Sequence, residues 1–339
     1  MHFAYPPRKK SGPPPYLPRS TRIPTLRKSR LKTIAITCVA ILFVIWLFSG
    51  SSSTKSSTRS SSRHVITGEP PVVIVTVFDS KSVKGDSDYN YIKDVMENRV
   101  AYAEKHGKCP LPLKEPLDAG INVDKIGYKT HLVEFTDYEL NDTPRSWAKV
   151  VAVRHAMAKF PDCRYLWFLE QNALIMNPNL KIEDHVFAAS KLEANMIKDL
   201  PVVPPDSIIK TFSHLTADDV ELVVTQDKEG LSTGSFLIRN GEWAKFFLDT
   251  WFDPLYRSYN FQRAETHALE HIVQWHPTIL SKLAVIPQDL INSYGTATKG
   301  KAYENGDLAI RFAGCTRSSS SGCAEQAKPY QSKWRETFA

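Results

Sequence analysis

The run Arg164-Tyr-Leu-Trp-Phe-Leu-Glu-Gln-Asn-Ala-Leu-Ile-Met-Asn-Pro178 carries the first group with chemical potential. Its apolar part, Tyr165 to Leu169, stops abruptly at Glu170-Gln171-Asn172. A short apolar run without alternation fits a strand buried on both faces. The polar trio then falls at the carboxyl end of that strand, where open α/β sheets place their ligands. The alternative is a plain strand ending in a turn. A second group is His267-Ala-Leu-Glu270-His271, which puts two histidines on one helix face in the pattern of inverted zinc peptidases. Zinc would need a third ligand and an open position. Only a short tail follows, so a peptidase is a remote alternative.

The elements around these groups read as an α/β succession. Pro71 to Phe78 is a β-branched run and predicts a buried parallel strand ending at Asp79-Ser80. Asp88 is placed to cap a helix through Ile92, Val95, Met96, Val100 and Ala103, with Gly107 to end it. Thr130 to Phe135 predicts a second strand. Thr143 and Pro144 open a helix running to Phe160, and the Tyr165 strand follows. Short links between these elements imply right-handed parallel crossovers. Strands are expected at 222–225 and 235–238, flanking a glycine turn at 230–234, and again at 283–287 and 308–312. Helices are expected at 242–252, with Trp243, Phe246, Phe247, Thr250 and Trp251 on one side, and at 263–275.

Twelve Lys and Arg but no acid fall in the first 68 residues, leaving 31 basic against 36 acidic residues over the rest, a net of −5. A basic body built for nucleic acid is therefore not expected. Residues 33–49 carry no charge and nine Lys and Arg precede them, which predicts a type II signal anchor with its amino terminus cytosolic. A cleaved signal peptide is the alternative. The short span suits an early secretory or Golgi bilayer. Residues 1–32 read as a basic disordered tail and 50–70 as a Ser-rich lumenal stem. The lumenal body, 71–339, divides at 190 into a donor-binding half and an acceptor and catalytic half. Cys38 lies in the span. In an oxidising lumen Cys315 and Cys323, which bracket a Ser-rich loop, are the expected disulfide, with Cys109–Cys163 as a second pairing. Asn141-Asp-Thr143 is a formal glycosylation sequon with Asp at its centre and Pro144 after it.

Four further patterns occur in order: Asn98-Arg99-Val-Ala-Tyr102 with His106-Gly107, Trp147-Ala-Lys149, Ser232-Thr-Gly-Ser-Phe-Leu-Ile-Arg-Asn240, and Arg311-Phe-Ala-Gly-Cys315. With the Glu170 stretch and the anchor, the chain resembles glycosyltransferase family 34, the Golgi galactosyl- and mannosyltransferases. Within it, the chain is similar to fungal α-1,6-mannosyltransferase subunits of mannan synthesis, over about residues 70–339. The resemblance implies a lumenal GT-A-like nucleotide-sugar fold and retaining transfer of mannose from GDP-mannose to a mannosylated N-glycan, within a hetero-oligomer of mannosyltransferase subunits. It assigns the catalytic acid to Glu265. It assigns donor binding to Asn98, Arg99, Lys149, Glu170, Asn172, Gly234, Ser235, Arg311 and Gly314. Asp227 is an acid near the acceptor side.

In that family the strand-end motif is usually Asp-x-Asp, which holds Mn²⁺ against the donor diphosphate. Here Glu170 and Asn172 stand at the metal positions and Arg311 replaces a late histidine ligand. Two readings follow. Arg311 substitutes for the metal in an active transferase, since guanidinium matches phosphate oxygens; or the chain is a non-catalytic subunit of the complex. An α-galactosyltransferase is a third.

Overall fold

The strand Val72–Phe78 (β1) is second from one edge of a six-stranded sheet that also contains Lys129–Glu134 (β2), Tyr165–Leu169 (β3), Leu222–Asp227 (β5), Gly230–Arg239 (β6) and Leu283–Ile286 (β7), in the order β2-β1-β3-β6-β5-β7. The structure, a computed structural model, describes residues 66–80, 86–107, 127–141, 143–205, 207–315 and 322–339. The expected tail, anchor, most of the stem, Cys38 and Cys109 lie outside the described residues. Among the described residues no helix is long and apolar enough to cross a membrane.

From β1 the chain passes through helix α1 (Asp86–Lys105) to β2 (Lys129–Glu134). Helix α2 (Ala148–Lys159) then leads into β3 (Tyr165–Leu169). Strands β2 and β3 both pair with β1 in parallel, as the succession of elements predicts. The sheet continues through β5 (Leu222–Asp227), β6 (Gly230–Arg239) and β7 (Leu283–Ile286). Strand β6 runs antiparallel to both β3 and β5. The sheet therefore crosses residue 190, and the two expected halves share one core.

Burial on both faces explains why these strands lack alternation. Val73, Val75, Leu166 and Phe168 enter one apolar cluster, while Val72, Ile74, Tyr165, Trp167 and Leu169 enter the other. The first face is covered by α2 and by helices α4 (Glu242–Trp251) and α6 (Ala264–Trp275), which follow α3 (Ala189–Asn195) and α5 (Pro254–Ser258) in chain order. A short helix α7 (Pro277–Leu280) precedes β7.

Several expectations are corrected. Residues 230–234 are the start of β6 rather than a turn; the hairpin turn is Lys228-Glu229. Gly230 is required there, with φ +133° and a position where a Cβ would overlap the Glu270 carboxylate. Asp88 lies inside α1 rather than at its cap. The Thr143 hydroxyl donates to Leu140 O, and the expected helix opens as a 3-10 turn, Arg145–Trp147. On α4 the buried face is Ala244, Phe247, Leu248 and Trp251, while Phe246 is exposed.

A second sheet has the order β4-β9-β8: Ala173–Ile175, Ala309–Arg311 and Ser293–Tyr294; β9 falls within the strand expected at 308–312, while β4 and β8 are too short to have been foreseen. The last helix, α8 (Cys323–Phe338), packs on α1, with Trp334 Nε1 donating to Asp94. The expected Cys315–Cys323 disulfide forms at its start. Cys163 is a free buried thiol that receives Asn240 Nδ2 at 3.5 Å, and its expected partner, Cys109, lies outside the described residues.

Candidate active site

The carboxyl end of β3, the middle of β6, strand β9 and the first turn of α6 converge on one cavity of about 190 Å³. Lys149, Glu170, Glu265 and Arg311 form its charged inner wall. Each is delivered by a different element, and each is held in place from behind.

Lys149 enters from the first turn of α2, anchored by the buried Trp147 beside it. Its ammonium lies 2.8 Å from Glu170 Oε1 and 2.7 Å from Glu265 Oε1, with Thr233 Oγ1 at 3.3 Å. Burial pulls the Lys149 pKa down, but the two carboxylates outweigh it and the net shift is upward. Glu170 is the first residue beyond β3, and its N–H donates to Gly234 O at 2.9 Å. Burial raises its carboxyl, yet Lys149 and Arg311 prevail and hold it at about 2. Glu170 is therefore a carboxylate throughout the physiological range.

Arg311 ends β9, opposite Ala173. Its Nε faces Glu170 Oε2 at 3.3 Å, and Nη1 donates to Ser232 Oγ at 2.8 Å. Among the described residues its Nη2 meets no acceptor. Gly234 makes this position possible: a Cβ there would overlap the guanidinium, lying 2.6 Å from Nε. Glu265 sits in the first turn of α6, 3% exposed, with Oε1 on Lys149 and Oε2 without any hydrogen-bond partner. A buried carboxylate oxygen left unpaired is costly and calls for an explanation.

Other expected site residues lie elsewhere. Asn98 and Arg99 are fully buried behind the wall and do not line the cavity. Asn98 exchanges two 2.8 Å hydrogen bonds with the Ile175 backbone, and Arg99 donates to the Glu170 and Ala173 carbonyls. Both therefore fix the turn that presents Glu170. Asn172 does not line the cavity; its Nδ2 donates to Phe312 O at 3.3 Å, and its buried Oδ1 has no hydrogen-bond partner among the described residues. Ser235 is buried and accepts from Trp167 Nε1 at 3.0 Å. Gly314 lines the cavity with φ +75°. Asp227 does too, receiving the Tyr294 hydroxyl at 2.6 Å. Thr233 joins the lining from the 232–240 pattern, while Tyr294, Thr266, Arg263 and Lys299 join it without any sequence pattern that announces them.

A divalent cation does not fit these residues. Both oxygens of Glu170 already face fixed positive charges, from Lys149 and Arg311, and Asn172 is not part of the cavity lining. The His267–Glu270–His271 group is not a zinc site either. His271 is surrounded by aromatic rings, and Glu270 Oε1 accepts from Leu231 N at 2.9 Å.

Residues 68–322 match the sequence profile of the galactosyl transferase GMA12/MNN10 family. The chain belongs to that family. Members similar to it include an uncharacterized alpha-1,2-galactosyltransferase of Schizosaccharomyces pombe, 31% identical over 231 residues, covering 66% of this chain and 56% of the relative. Another, named alpha-1,2-galactosyltransferase, from the same yeast is 32% identical over 230 residues, covering 66% and 56%. A probable alpha-1,6-mannosyltransferase of Saccharomyces cerevisiae is 30% identical over 280 residues, covering 77% and 62%. The chain thus spans between 56% and 62% of the length of these three relatives. Among solved structures, a glycosyltransferase involved in the glycosylation of the major capsid of PBCV-1 matches with TM-score 0.46 and 12% identity over 77% of this chain and 98% of that one.

Proposed function

We propose that this chain transfers mannose from GDP-mannose to the mannan chain of an N-glycan with retention, forming α-1,6 linkages without a metal ion. The observation that carries the reading is the wall in which Lys149 and Arg311 stand beside the unpaired Oε2 of Glu265. When the sugar–phosphate bond breaks, negative charge grows on the leaving diphosphate and positive charge on the sugar ring. The Arg311 Nη2 edge and Lys149 stabilise the first, as preorganised cations do. The free oxygen of Glu265 stabilises the second. Arg263 and Lys299 line the same cavity, with Lys299 paired to Glu229 at 2.7 Å. A volume of about 190 Å³ is below the ~300–1,000 Å³ of a pocket enclosing a whole ligand, so it holds the sugar-phosphate end and leaves the base outside.

The same reading puts the domain in the Golgi lumen with a GT-A-like fold, behind a type II anchor at 33–49. It works beside other mannosyltransferase subunits. The charge-free span, with nine Lys and Arg on its amino-terminal side, supports the anchor. The mannosyltransferase named among the similar chains supports the sugar.

One observation favours a second reading. Glu170 and Glu265 neutralise the two inner cations before any diphosphate arrives, which suits a non-catalytic subunit. Incubating the full chain with GDP-mannose or UDP-galactose and an α-mannoside acceptor in EDTA separates the readings. An α-1,6-mannosylated product supports transfer. Donor binding without product from either sugar supports the non-catalytic subunit, and galactosylated product replaces mannose by galactose.

A further inference from the structure

The outer face of α6 carries an aromatic surface that the cavity does not use. His271 is its hub, with ring centroids of Tyr256, Tyr259, Phe261 and Trp275 at 5.9, 6.0, 5.8 and 6.1 Å. Trp275 is 70% exposed, and Tyr259 is 47% exposed. Neither the Trp275 indole N–H nor the Tyr259 hydroxyl meets a protein partner among the described residues. The neighbouring rings meet His271 at angles of 42° to 78° rather than stacking flat on it. Their faces are therefore not closed against that hub.

This surface begins one helical turn beyond Arg263, a residue of the cavity lining. Arg263 lines the cavity and its N–H donates to His267 Nδ1 at 3.3 Å. His267, His271 and Trp275 then succeed one another at four-residue spacing along one face of α6. From Arg263 to Trp275 the track is about 18 Å long at 1.5 Å per residue, longer than one hexose ring.

We propose that this track binds the growing acceptor, an α-linked hexose oligomer, with its non-reducing end in the cavity and successive units lying on the rings. The inference rests on the transferase reading of the cavity. Ring faces present apolar area to the C–H side of a sugar, while the tyrosine hydroxyl and the indole N–H at their edges serve its hydroxyls. A protein partner needs roughly 20–30 residues on each side of a stable interface, and half a dozen side chains fall well short of that. Scattered exposed apolar residues need no explanation, but a contiguous aromatic set that starts one helical turn from a charged cavity does.

The test uses the full chain and linear α-1,6-linked mannopentaose, with methyl α-mannoside as the short probe, read by calorimetry. Trp275→Ala and, separately, Tyr259→Ala are expected to weaken pentaose binding about tenfold, equivalent to about 1.4 kcal/mol, while the short probe binds alike in all samples. Melting curves report folding of each variant. Pentaose affinity unchanged in both variants overturns the proposal. So does unchanged pentaose affinity with loss of a co-purifying subunit, which would make the patch a protein contact. A GDP-mannose titration of the same samples reports the cavity separately, so failure of the transferase reading is distinguished from failure of the track.

Discussion

Replacing Lys149 by methionine removes the one cation shared by Glu170 and Glu265 while nearly preserving side-chain volume. Lys149 is 4% exposed, and its ammonium stands within 2.8 Å of both carboxylates. Glu170 would keep Arg311 and some contact with water, its side chain being 26% exposed. Glu265 would keep no cation, and its own side chain is only 4% exposed. Breaking a buried pair from one side costs about 3–5 kcal/mol. For a unit of this size a loss of 1 kcal/mol lowers the melting temperature by about 2 °C, so Lys149→Met should melt roughly 6–10 °C lower at pH 7. The pH dependence carries the sign. In the wild type the Lys149 pKa is raised by its carboxylates, after burial has pulled it down. Its contribution is complete below the unfolded value of 10.5 and is lost only as pH rises through the folded value. The wild-type term is therefore flat between pH 5 and 8. In the variant, a carboxylate buried without its cation is relieved by taking up a proton, so the deficit should shrink towards pH 5. Circular-dichroism melting at pH 5, 6, 7 and 8 measures both. Melting within about 2 °C of wild type at pH 7, or a deficit that grows on acidification, refutes the buried triad.

Gly234→Ala drives a Cβ into the Arg311 guanidinium. The arginine must leave Glu170 and Ser232, and GDP-mannose affinity should fall about tenfold by calorimetry, the loss of one charge-assisted contact; an unchanged Kd contradicts the role given to Arg311. Glu270 is pushed up to about 7 by burial, against the opposing charge of Arg263. Its folded value exceeds the unfolded 4.5, so its stabilising term is complete below pH 4.5 and is lost as pH rises through 7, roughly 3 kcal/mol in all. Glu270→Gln should lack that slope in denaturant unfolding between pH 4.5 and 8, and a slope equal to wild type would count against it. Reducing Cys315–Cys323, which are separated by 8 residues, should cost about 2–3 kcal/mol and about 4–6 °C of melting temperature. No shift on reduction would mean that α8 does not depend on the bridge.

The central sheet was legible because β1 and β3 are uninterrupted apolar runs, a pattern that burial on both faces produces. Of the second sheet only β9 was legible, as the apolar run at 308–312; β4 and β8, of three and two residues, leave no period to read. Helix α8 escaped because it is mostly polar and carries Pro329 in its interior, although it buries Ala327 and Trp334. At the site, Lys149, Glu170, Glu265 and Arg311 converge from residue types and patterns visible in the chain. Asn98 and Arg99 show the limit of that reading. A pattern identifies them, but only coordinates reveal that their polar groups bond to backbone carbonyls behind the wall rather than to a ligand. Asp227 and Tyr294 are 67 positions apart, and no local spacing announces their hydrogen bond.

The central claim is that Arg311 and Lys149 hold the donor diphosphate without a metal ion. It is tested most directly by titrating the full chain with GDP-mannose, once in EDTA and once with Mn²⁺. The structure predicts the same Kd in both, within about twofold, because the two oxygens of Glu170 are already matched by cations. Binding that vanishes in EDTA and returns with Mn²⁺ would contradict it.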